Sequence, residues 1–262
     1  MSDSDPHLDA IRQQFTKQAD AYVRMRQTTD ERGLQGLVGL SGVQPQHRVL
    51  DVACGPGFLT MTFAARCAEA IGVDATPHFL ELARAEAAAR SLHNIEFRLG
   101  NAEQLGFPDE SFDVVACRAA FHHFPNPDKV LQEMKRLARR SGRVVLADML
   151  ASEDPAQAAY HNRVERLCDP THVRALAASE FEALFAAAGL EVIFAPTVPL
   201  DYDLDEWMDH GGPSAAAARE IQQLMEDSVE VDRSGLRVRR EQGRLRFSHT
   251  GVVFVLQPAD AL

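Results

Sequence analysis

Val49-Leu50-Asp51-Val52-Ala53-Cys54-Gly55-Pro56-Gly57-Phe58 is the stretch of the chain that decides the fold. It predicts an apolar strand that ends in a carboxylate, followed by a turn with glycines at alternate positions. An amphipathic run from Leu59 to Ala70 then predicts a helix. In an α/β protein, a ligand lies outside the carboxyl end of such a strand, where glycines let the backbone approach it closely.

The carboxylate of Asp51 separates this turn from a dinucleotide-binding fingerprint. A G-x-G-x-x-G motif carries a third glycine and leaves room for a pyrophosphate at the helix N-terminus. Here the third position is Thr60, and a negative charge stands beside the turn. The residues therefore favour a cationic ligand and disfavour an NAD-dependent oxidoreductase.

The bulk composition limits the classes of protein to consider. The chain has 262 residues, of which 45% are hydrophobic and 25% are charged, and this suits one domain with a sizeable core. The formal net charge of -11 counts against a nucleic-acid binder, which would normally present a basic face. The four cysteines form no C-x-x-C pair, so we expect reduced thiols, no zinc site and no redox pair.

Two further features bear on location and partners. The N-terminus lacks an apolar signal core, and no apolar run approaches the ~20 residues that span a bilayer, so we expect a cytoplasmic protein without membrane insertion. The C-terminal part carries a local excess of arginine, which is either a solvated face or a site for an anionic partner. Its members are Arg233, Arg237, Arg239, Arg240, Arg244 and Arg246.

Strands and helices alternate through the first 150 residues. Thr76 is placed as a helix N-cap and Pro77 as the first helical residue. Such alternation predicts βαβ units and a parallel sheet, with the carboxyl ends of its strands along one rim. The predicted strands are 47–51, 70–74, 95–99, 112–117 and 143–148, and the helices between them are 57–68, 77–90 and 127–140. Beyond residue 150, helices are predicted at 154–170 and 179–188, strands at 191–198 and 247–256, and a mainly helical stretch at 203–240.

Side chains on the predicted rim suit a nucleoside with a positively charged tail. Asp74 ends the second strand, about 20 residues beyond the glycine turn, where a carboxylate can accept hydrogen bonds from both ribose hydroxyls. Asn101 follows the third strand, and its amide suits an adenine edge because it both donates and accepts. Asp51 can act by charge on a cationic group or hold an amide of the glycine turn.

These motifs resemble those of class I S-adenosylmethionine-dependent methyltransferases, in the branch similar to ubiquinone and menaquinone biosynthesis enzymes. Residues 49–57 are similar to the first motif of the family, and Gly72-Val73-Asp74 is similar to the second. Residues 100–105 resemble the adenine-side motif, and 118–125 resemble the segment after strand four. The resemblance covers about Phe15 to Leu150. It implies an α/β fold with a Rossmann-like, doubly wound, mostly parallel seven-stranded sheet and helical cover from both ends of the chain.

On this resemblance, we expect three parts in the chain. Residues 1–41 would form an N-terminal helical cap, and 42–150 would form the S-adenosylmethionine-binding core. Residues 151–262 would complete the sheet and add a helical lid. The acceptor would be bound by the two covers, which vary, rather than by the sheet rim, so the motifs do not identify it.

The resemblance also implies a cofactor role for residues of each rim segment. Asp51 would face the methionine amino group, Asp74 the ribose diol and Asn101 the adenine, although the family usually has Asp where Asn101 stands. The glycines of the turn would lie against the methionine and the sugar, and the end of strand four would lie near the methionine carboxylate. The complete set of predicted cofactor residues is Asp51, Ala53, Gly55, Gly57, Thr60, Asp74, Ala75, Asn101, Ala102, Cys117 and Arg118.

Two adjacent histidines, His122 and His123, are the candidates for a catalytic base. They follow strand four on the rim, and a neutral imidazole can take a proton near pH 7. A dedicated base is needed only where the acceptor must lose a proton, and loop packing is the alternative role for both residues. Asp148 is a candidate for substrate contact, His161 and His172 are candidates in a lid, and no metal site is expected.

The sequence therefore predicts an enzyme that transfers a methyl group from S-adenosyl-L-methionine to a small molecule and releases S-adenosyl-L-homocysteine. The acceptor atom stays open between carbon, oxygen and nitrogen, on a quinone precursor or a secondary metabolite. Cys117-Arg118-Ala119-Ala120 stands where an Asn-Pro-Pro-Tyr-type motif would be, which argues against the nucleic-acid and glutamine N-methylating branches. The alternative is a cofactor-binding regulator or scaffold without methyl transfer. If the protein forms an oligomer, we expect a homodimer.

Overall fold

Five parallel strands form the half of the sheet that carries the predicted motifs. The computed structural model of the protein describes residues 6–22 and 30–259 of the chain. The path through the sheet is β3-β2-β1-β4-β5-β9-β6, and β7 and β8 also pair with β9, antiparallel to it. The strands are β1 (Arg48–Val52), β2 (Glu69–Asp74), β3 (Ile95–Leu99), β4 (Phe112–Arg118), β5 (Ala138–Leu150), β6 (Leu190–Phe194), β7 (Thr197–Asp203), β8 (Arg239–Glu241) and β9 (Arg244–Pro258).

Helices cover both faces of the sheet and also its edge at the carboxyl ends of the parallel strands. Pro77 opens its helix as predicted, but the Thr76 side chain makes no capping hydrogen bond. Gly189 ends a helix in the left-handed conformation, with φ of 66°. The helices are α1 (Pro6–Tyr22), α2 (Glu31–Leu40), α3 (Phe58–Ala64), α4 (Pro77–Ala89), α5 (Pro127–Leu137), α6 (Pro155–Cys168), α7 (Ala178–Ala188), α8 (Leu204–Gly211) and α9 (Ala215–Glu226), with a 3-10 turn at Phe121–His123.

Strand β1 is buried on both faces because helices pack on each side of the sheet. Val49 points to a cluster under α2 and α3 that also contains Phe63, whereas Leu50 points to a cluster under α5 and α7 that contains Phe181. Such double burial explains why the strand is a nearly continuous apolar run. Asp51, also buried, is the polar exception at its carboxyl end.

A third apolar cluster holds the C-terminal helices together on the end of β9. It joins Val164 of α6, Trp207 of α8 and Ile221 of α9 to Phe247 of β9. Helix α1 lies across the rim on the other side, where Gln18 Nε2 donates to the carbonyl oxygen of Gly211 at 2.7 Å. The two covers thereby meet above the carboxyl ends of β1 and β4, which is the topological switch point of the sheet.

The fold class is confirmed, with more strands than predicted. The described residues form nine strands rather than seven, partly because the stretch predicted as one strand at 191–198 is interrupted before Thr197 by Pro196, which cannot donate to the ladder. The mainly helical interpretation of 203–240 is wrong beyond Glu226. There Asp232 accepts hydrogen bonds from the backbone N–H groups of Ser234 and Gly235, which favours a turn over a helix.

Other boundaries differ less. The helix predicted at 127–140 ends at Leu137, because the chain from Ala138 already pairs with the start of β4 through an irregular register.

None of the helices in the described ranges is long and apolar enough to cross a membrane. The division of the chain at 41/42 and 150/151 stays a prediction.

Candidate active site

The glycine turn after β1 holds its shape through three residues with positive φ. Ala53, Gly55 and Gly57 have φ values of 55°, 53° and 79°. A Cβ atom on Gly57 would lie 2.6 Å from the ring of Phe97, so glycine is required there both for its backbone conformation and for its close packing. Gly57 therefore shapes the turn, while Gly55 is the glycine that lines the cavities beside it.

Asp51 is a buried carboxylate at the carboxyl end of β1. It is 1% exposed, and its Oδ2 atom accepts a hydrogen bond from Thr60 Oγ1 at 2.6 Å. Burial raises the pKa of Asp51 to about 7, although the Thr60 hydrogen bond and the charge of Arg118 act in the opposite direction. Thr60 is fully buried, so it acts on the site through Asp51.

Asp74 ties the second strand to the glycine turn. Its Oδ2 atom accepts from the backbone N–H of Gly55, and its Oδ1 atom accepts from the N–H of Thr76, both at 2.8 Å. Burial raises the pKa of Asp74, and these backbone hydrogen bonds partly offset that effect. The carboxylate thus fixes the turn while its edge lines a cavity shared with Ala75.

A narrow cavity of about 90 Å³ lies between the ends of β2, β3 and β4. Asn101 and Ala102 line it on one side, and Phe124 lines it on the other. The Oδ1 atom of Asn101 accepts from the backbone N–H of Glu103 at 3.0 Å, so the acceptor half of this amide is engaged in its own turn. The predicted adenine-side residues are therefore together at one cavity.

A second small cavity, of about 30 Å³, lies on the other side of Gly55. Asp51, Ala53 and Arg118 line it. Cys117, predicted beside Arg118 in the cofactor site, points instead into the core cluster under α5 and is 1% exposed. The reason is the alternation of β4, which places Arg118 and Cys117 on opposite faces of the sheet.

His122 forms a close pair with Asp148. The two atoms His122 Nδ1 and Asp148 Oδ1 are 2.6 Å apart, and Asp148 Oδ2 also accepts from the backbone N–H of Phe121 at 2.8 Å. Burial lowers the pKa of His122, but the charge and hydrogen bond of Asp148 outweigh it and the pKa lies above its usual value. The same pairing outweighs burial at Asp148 and lowers its pKa.

His123 occupies a different environment. Its Nδ1 atom lies 3.1 Å from the carbonyl oxygen of Thr171, and its ring packs edge-on against Phe15 of α1 at 5.2 Å. Burial and the neighbouring His122 lower the pKa of His123 to about 4. His123 is therefore a neutral residue that joins the cap to the rim, whereas His122 is the histidine with a carboxylate partner.

A cavity of about 550 Å³ lies next to this histidine pair, between α1, α6, α8 and β9. Its wall carries many ionisable groups. They include Arg118, His122, Asp148, Glu165, Asp169, His172, Asp201, Arg246 and His249. A cavity of this size holds a small organic molecule rather than a macromolecular chain.

The large cavity adjoins both small ones through shared walls. Phe15, Ala119 and His123 line the large cavity and the 90 Å³ cavity, and Arg118 lines the large cavity and the 30 Å³ cavity. Ala119 has a φ of 51°, a left-handed conformation that is uncommon for alanine and is typical of functional sites. The three cavities thus meet at the carboxyl end of β4.

Glu165 and His249 line this cavity and were not among the predicted site residues, whereas Arg246, which joins them, was named only as a member of the arginine cluster. Their elements, α6 and β9, are far apart in the chain, and no local motif marks them. The arginine cluster forms mainly a solvated face, in which Arg240 pairs with Glu226 and Arg244 pairs with Asp203. Arg246 is the member of the cluster that lines the large cavity.

Together, the fold and the glycine turn at its switch point define a class I S-adenosylmethionine-dependent methyltransferase. A family model described as a methyltransferase domain matches residues 44–189. The chain belongs to this methyltransferase-domain family and is a methyltransferase enzyme. The resemblance found in the sequence motifs is thereby confirmed.

Relatives and solved structures agree with this assignment. An uncharacterized methyltransferase of Bacillus subtilis, YcgJ, is 36% identical over 209 residues, which are 79% of this chain and 82% of the relative. Its crystal structure has a TM-score of 0.79 at 32% identity and covers 87% of this chain and 99% of that chain. A putative methyltransferase from Bacillus halodurans has a TM-score of 0.82 at 27% identity, with the same two shares covered. A demethylmenaquinone methyltransferase of Deinococcus radiodurans is 40% identical over 104 residues, 39% of this chain and 43% of the relative.

Proposed function

We propose that this methyltransferase moves a methyl group from S-adenosylmethionine to a small polar molecule bound in the 550 Å³ cavity. The observation that carries the proposal is the shared wall between the cavities. Ala119 and Arg118 border both the large cavity and the small ones, so a cofactor along the rim would present its methyl group to a molecule in the large cavity. When bound, the cofactor supplies an electrophilic methyl group on a sulfonium.

The residues of the rim fit this cofactor in charge and shape. A cationic amino group beside Asp51 would offset the cost of burying that carboxylate, which its raised pKa reflects. The open edge of Asp74 suits ribose hydroxyls, and the guanidinium of Arg118 suits a carboxylate. Asn101 and Ala102, with Ala75 and Phe124, would enclose the adenine. Gly57 would then act by shaping the turn. Thr60 would orient Asp51, and Cys117 would pack β4 against the core.

The N-terminal cap would exclude water from the reacting groups. Phe15 lines both the cofactor side and the acceptor side, and Arg12 Nε donates to the carbonyl oxygen of Ala75 at 3.0 Å. His7 Nε2 lies 2.8 Å from the carbonyl oxygen of His123. Holding two reactants in line can contribute up to ~7–11 kcal/mol to a displacement, so positioning by these covers would supply much of the acceleration.

His122 is our choice for the base, in preference to His123. It lines the large cavity, and Asp148 holds its Nδ1 atom, which leaves Nε2 as the atom that would take a proton from the acceptor. A histidine held by a carboxylate in this way has a fixed ring orientation and tautomer. His123 would serve as a packing residue, because its pKa of about 4 makes it a poor base near neutral pH.

The ionisable groups on the wall of the large cavity favour a polar acceptor. The methylated atom of this acceptor is a carbon, an oxygen or a nitrogen. Quinone precursors with free hydroxyls and hydroxylated or amino-bearing secondary metabolites both satisfy this chemistry. The demethylmenaquinone methyltransferase of Deinococcus radiodurans matches less than half of this chain, so its acceptor is one candidate among these.

We also predict a homodimer, because Ile193 and Phe194 on strand β6 are apolar and are 46% and 52% exposed. Sedimentation velocity would test this prediction.

The deciding experiment measures cofactor binding and turnover separately. Calorimetry should show binding of S-adenosylmethionine, but not NAD(H), and Asp51→Ala and Asp74→Ala should each weaken that binding. Incubation with methyl-labelled cofactor and a panel of phenols, amines and quinone precursors should yield labelled product and S-adenosylhomocysteine. Unchanged cofactor affinity in both variants would overturn the site assignment. Binding without turnover on any acceptor class would favour the regulator or scaffold instead.

A further inference from the structure

Three buried side chains beside the large cavity bring a metal-ligand set together, and two of them, Glu165 and His249, line its wall. His161 and Glu165 lie one turn apart on α6, and His249 reaches them from β9. Their exposed fractions are 1%, 6% and 1%. The candidate ligand atoms of all three side chains lie within 4.8 Å of one another.

The two separations from Glu165 are close to those expected for ligands of a single ion, and all three ligand atoms lie within 4.8 Å of one another. Glu165 Oε1 lies 2.9 Å from His249 Nε2 and 3.6 Å from His161 Nε2. Ligands bound at ~2.0–2.2 Å in a tetrahedral arrangement are about 3.3–3.5 Å apart from one another. The two observed distances from Glu165 bracket this value, so the cluster needs only local side-chain movement to contact one ion.

Hydrogen bonding within the cluster leaves part of it unsatisfied. The contact between Glu165 and His249 is a hydrogen bond, but 3.6 Å is too long for one from His161 Nε2. That nitrogen is buried and has no hydrogen-bond partner among the described residues, and the same is true of His249 Nδ1. A buried polar atom without a partner is costly, and a metal ion bound by Nε2 would remove that cost for His161.

The donor atoms of the cluster also suit a cation. A glutamate oxygen and imidazole nitrogens are ligands that transition-metal ions of the zinc class bind in proteins. The rings of His161 and His249 are stacked at 5.2 Å, with their planes 28° apart.

We propose that His161, Glu165 and His249 bind one divalent transition-metal ion of the zinc class, with an open coordination position toward the acceptor cavity. Two histidines and one glutamate are a donor set of catalytic zinc sites, which keep one position for water or substrate. Glu165 and His249 line the same cavity as His122 and Asp148. The ion would therefore hold an oxygen or nitrogen atom of the acceptor on the wall of this cavity.

This site differs from the sequence expectation of no metal. His161 and Glu165 have the spacing of one helical turn, but the third ligand lies 84 residues beyond Glu165 and belongs to a strand that nothing in the sequence connects with α6. The proposal does not depend on the roles assigned to the cofactor residues, because none of its three ligands lines the two small cavities.

The test measures metal binding to untagged, full-length protein that has been stripped with a chelator. Elemental analysis after addition of Zn²⁺ and gel filtration should give one equivalent per chain. Co²⁺ in place of Zn²⁺ should produce visible absorption bands typical of a low-coordinate nitrogen and oxygen site. Zn²⁺ should also raise the melting temperature of the stripped protein.

Variants assign the ion to the cluster. Glu165→Gln, His161→Gln and His249→Gln should each weaken Zn²⁺ binding by at least about 100-fold, since losing a direct ligand costs no less than losing a residue that supports one. His172→Gln is the matched control, because His172 is a buried histidine of the same cavity whose Nε2 atom pairs with Asn162. It should keep one equivalent of Zn²⁺.

Two outcomes would overturn the metal site. One is wild-type protein that is folded by circular dichroism yet binds no Zn²⁺ or Co²⁺. The other is equal binding by wild type and Glu165→Gln, which would place the ion elsewhere. Cofactor affinity, measured on the same samples, should be unchanged in Glu165→Gln, so failure of the metal proposal and failure of the cofactor site give different results.

Discussion

Replacing Asp51 by asparagine should stabilise the cofactor-free protein, and the gain should grow with pH. The amide side chain in Asp51→Asn keeps an oxygen that can accept the Thr60 hydroxyl hydrogen bond but carries no charge to bury. In the wild type the pKa of Asp51 is raised to about 7 by burial. A group with a raised pKa favours the folded state only while it is protonated, so its contribution is complete below its unfolded pKa and is lost as pH rises through 7.

The size of the effect follows from this pKa. Each tenfold difference in proton affinity is worth about 1.4 kcal/mol, so between about pH 5 and pH 8 the wild type should lose about 3 kcal/mol relative to Asp51→Asn. Urea unfolding of both proteins at several pH values across this range measures the difference directly. Asp154→Asn is the matched control, because it makes the same substitution at an exposed N-cap of α6 outside the core.

The same carboxylate links stability to binding. A cationic cofactor should bind the wild type less tightly as pH falls below about 7, because Asp51 then takes up a proton. Asp51→Asn should bind weakly across the whole range and lose this pH dependence. Differences in unfolding free energy that stay constant within about 0.5 kcal/mol from about pH 5 to pH 8 would refute the assignment of a buried, raised-pKa carboxylate.

Further predictions concern catalysis and the glycine turn. His122→Ala should slow turnover by ~10²–10⁴-fold with little change in cofactor affinity, and equal turnover would exclude it as the base. Asp148→Asn removes the charge that raises the pKa of His122, so the rise of kcat/KM with pH should move to lower pH; an unmoved profile would contradict the pairing. Gly57→Ala should cost about 2 to 5 kcal/mol in unfolding free energy, because the new Cβ needs a positive φ and meets the Phe97 ring at 2.6 Å. Gly106→Ala, with φ of 69° and no atom within 4 Å of the added Cβ, should cost only about 1 to 2 kcal/mol; equal losses would show that packing at Gly57 is unimportant.

The first half of the fold was predictable because its signals are local. An apolar strand, a glycine turn and an amphipathic helix occupy consecutive residues, and β3 was predicted with both of its ends, Ile95 and Leu99. Right-handed crossovers then place Asp51, Asp74 and Asn101 at the same rim without any knowledge of side-chain contacts. The family assignment rested on these motifs and is confirmed by the methyltransferase-domain match.

The later part of the chain was harder to predict, since its strands pair antiparallel with a long central partner. Strand β9 covers 15 residues and joins β5, β6, β7 and β8, and no periodicity of the individual strands indicates which of them it will pair with. Beyond α9, the side chains of Ser228 and Asp232 accept hydrogen bonds from backbone N–H groups that a continuing helix would use. The helix that composition alone favoured there therefore does not form.

By itself, the sequence determined the proposed cofactor side of this protein, because each motif there needs only a strand end and the turn that follows it. The tertiary structure alone decided the cavity that we propose for the acceptor. Asp148 was known to lie on the rim, but only packing of the 3-10 turn against β5 sets its oxygen 2.6 Å from His122. Glu165 and His249 meet across 84 residues for the same reason: side chains from distant elements are brought together by burial of apolar surface, which leaves no trace in the local spacing of either segment.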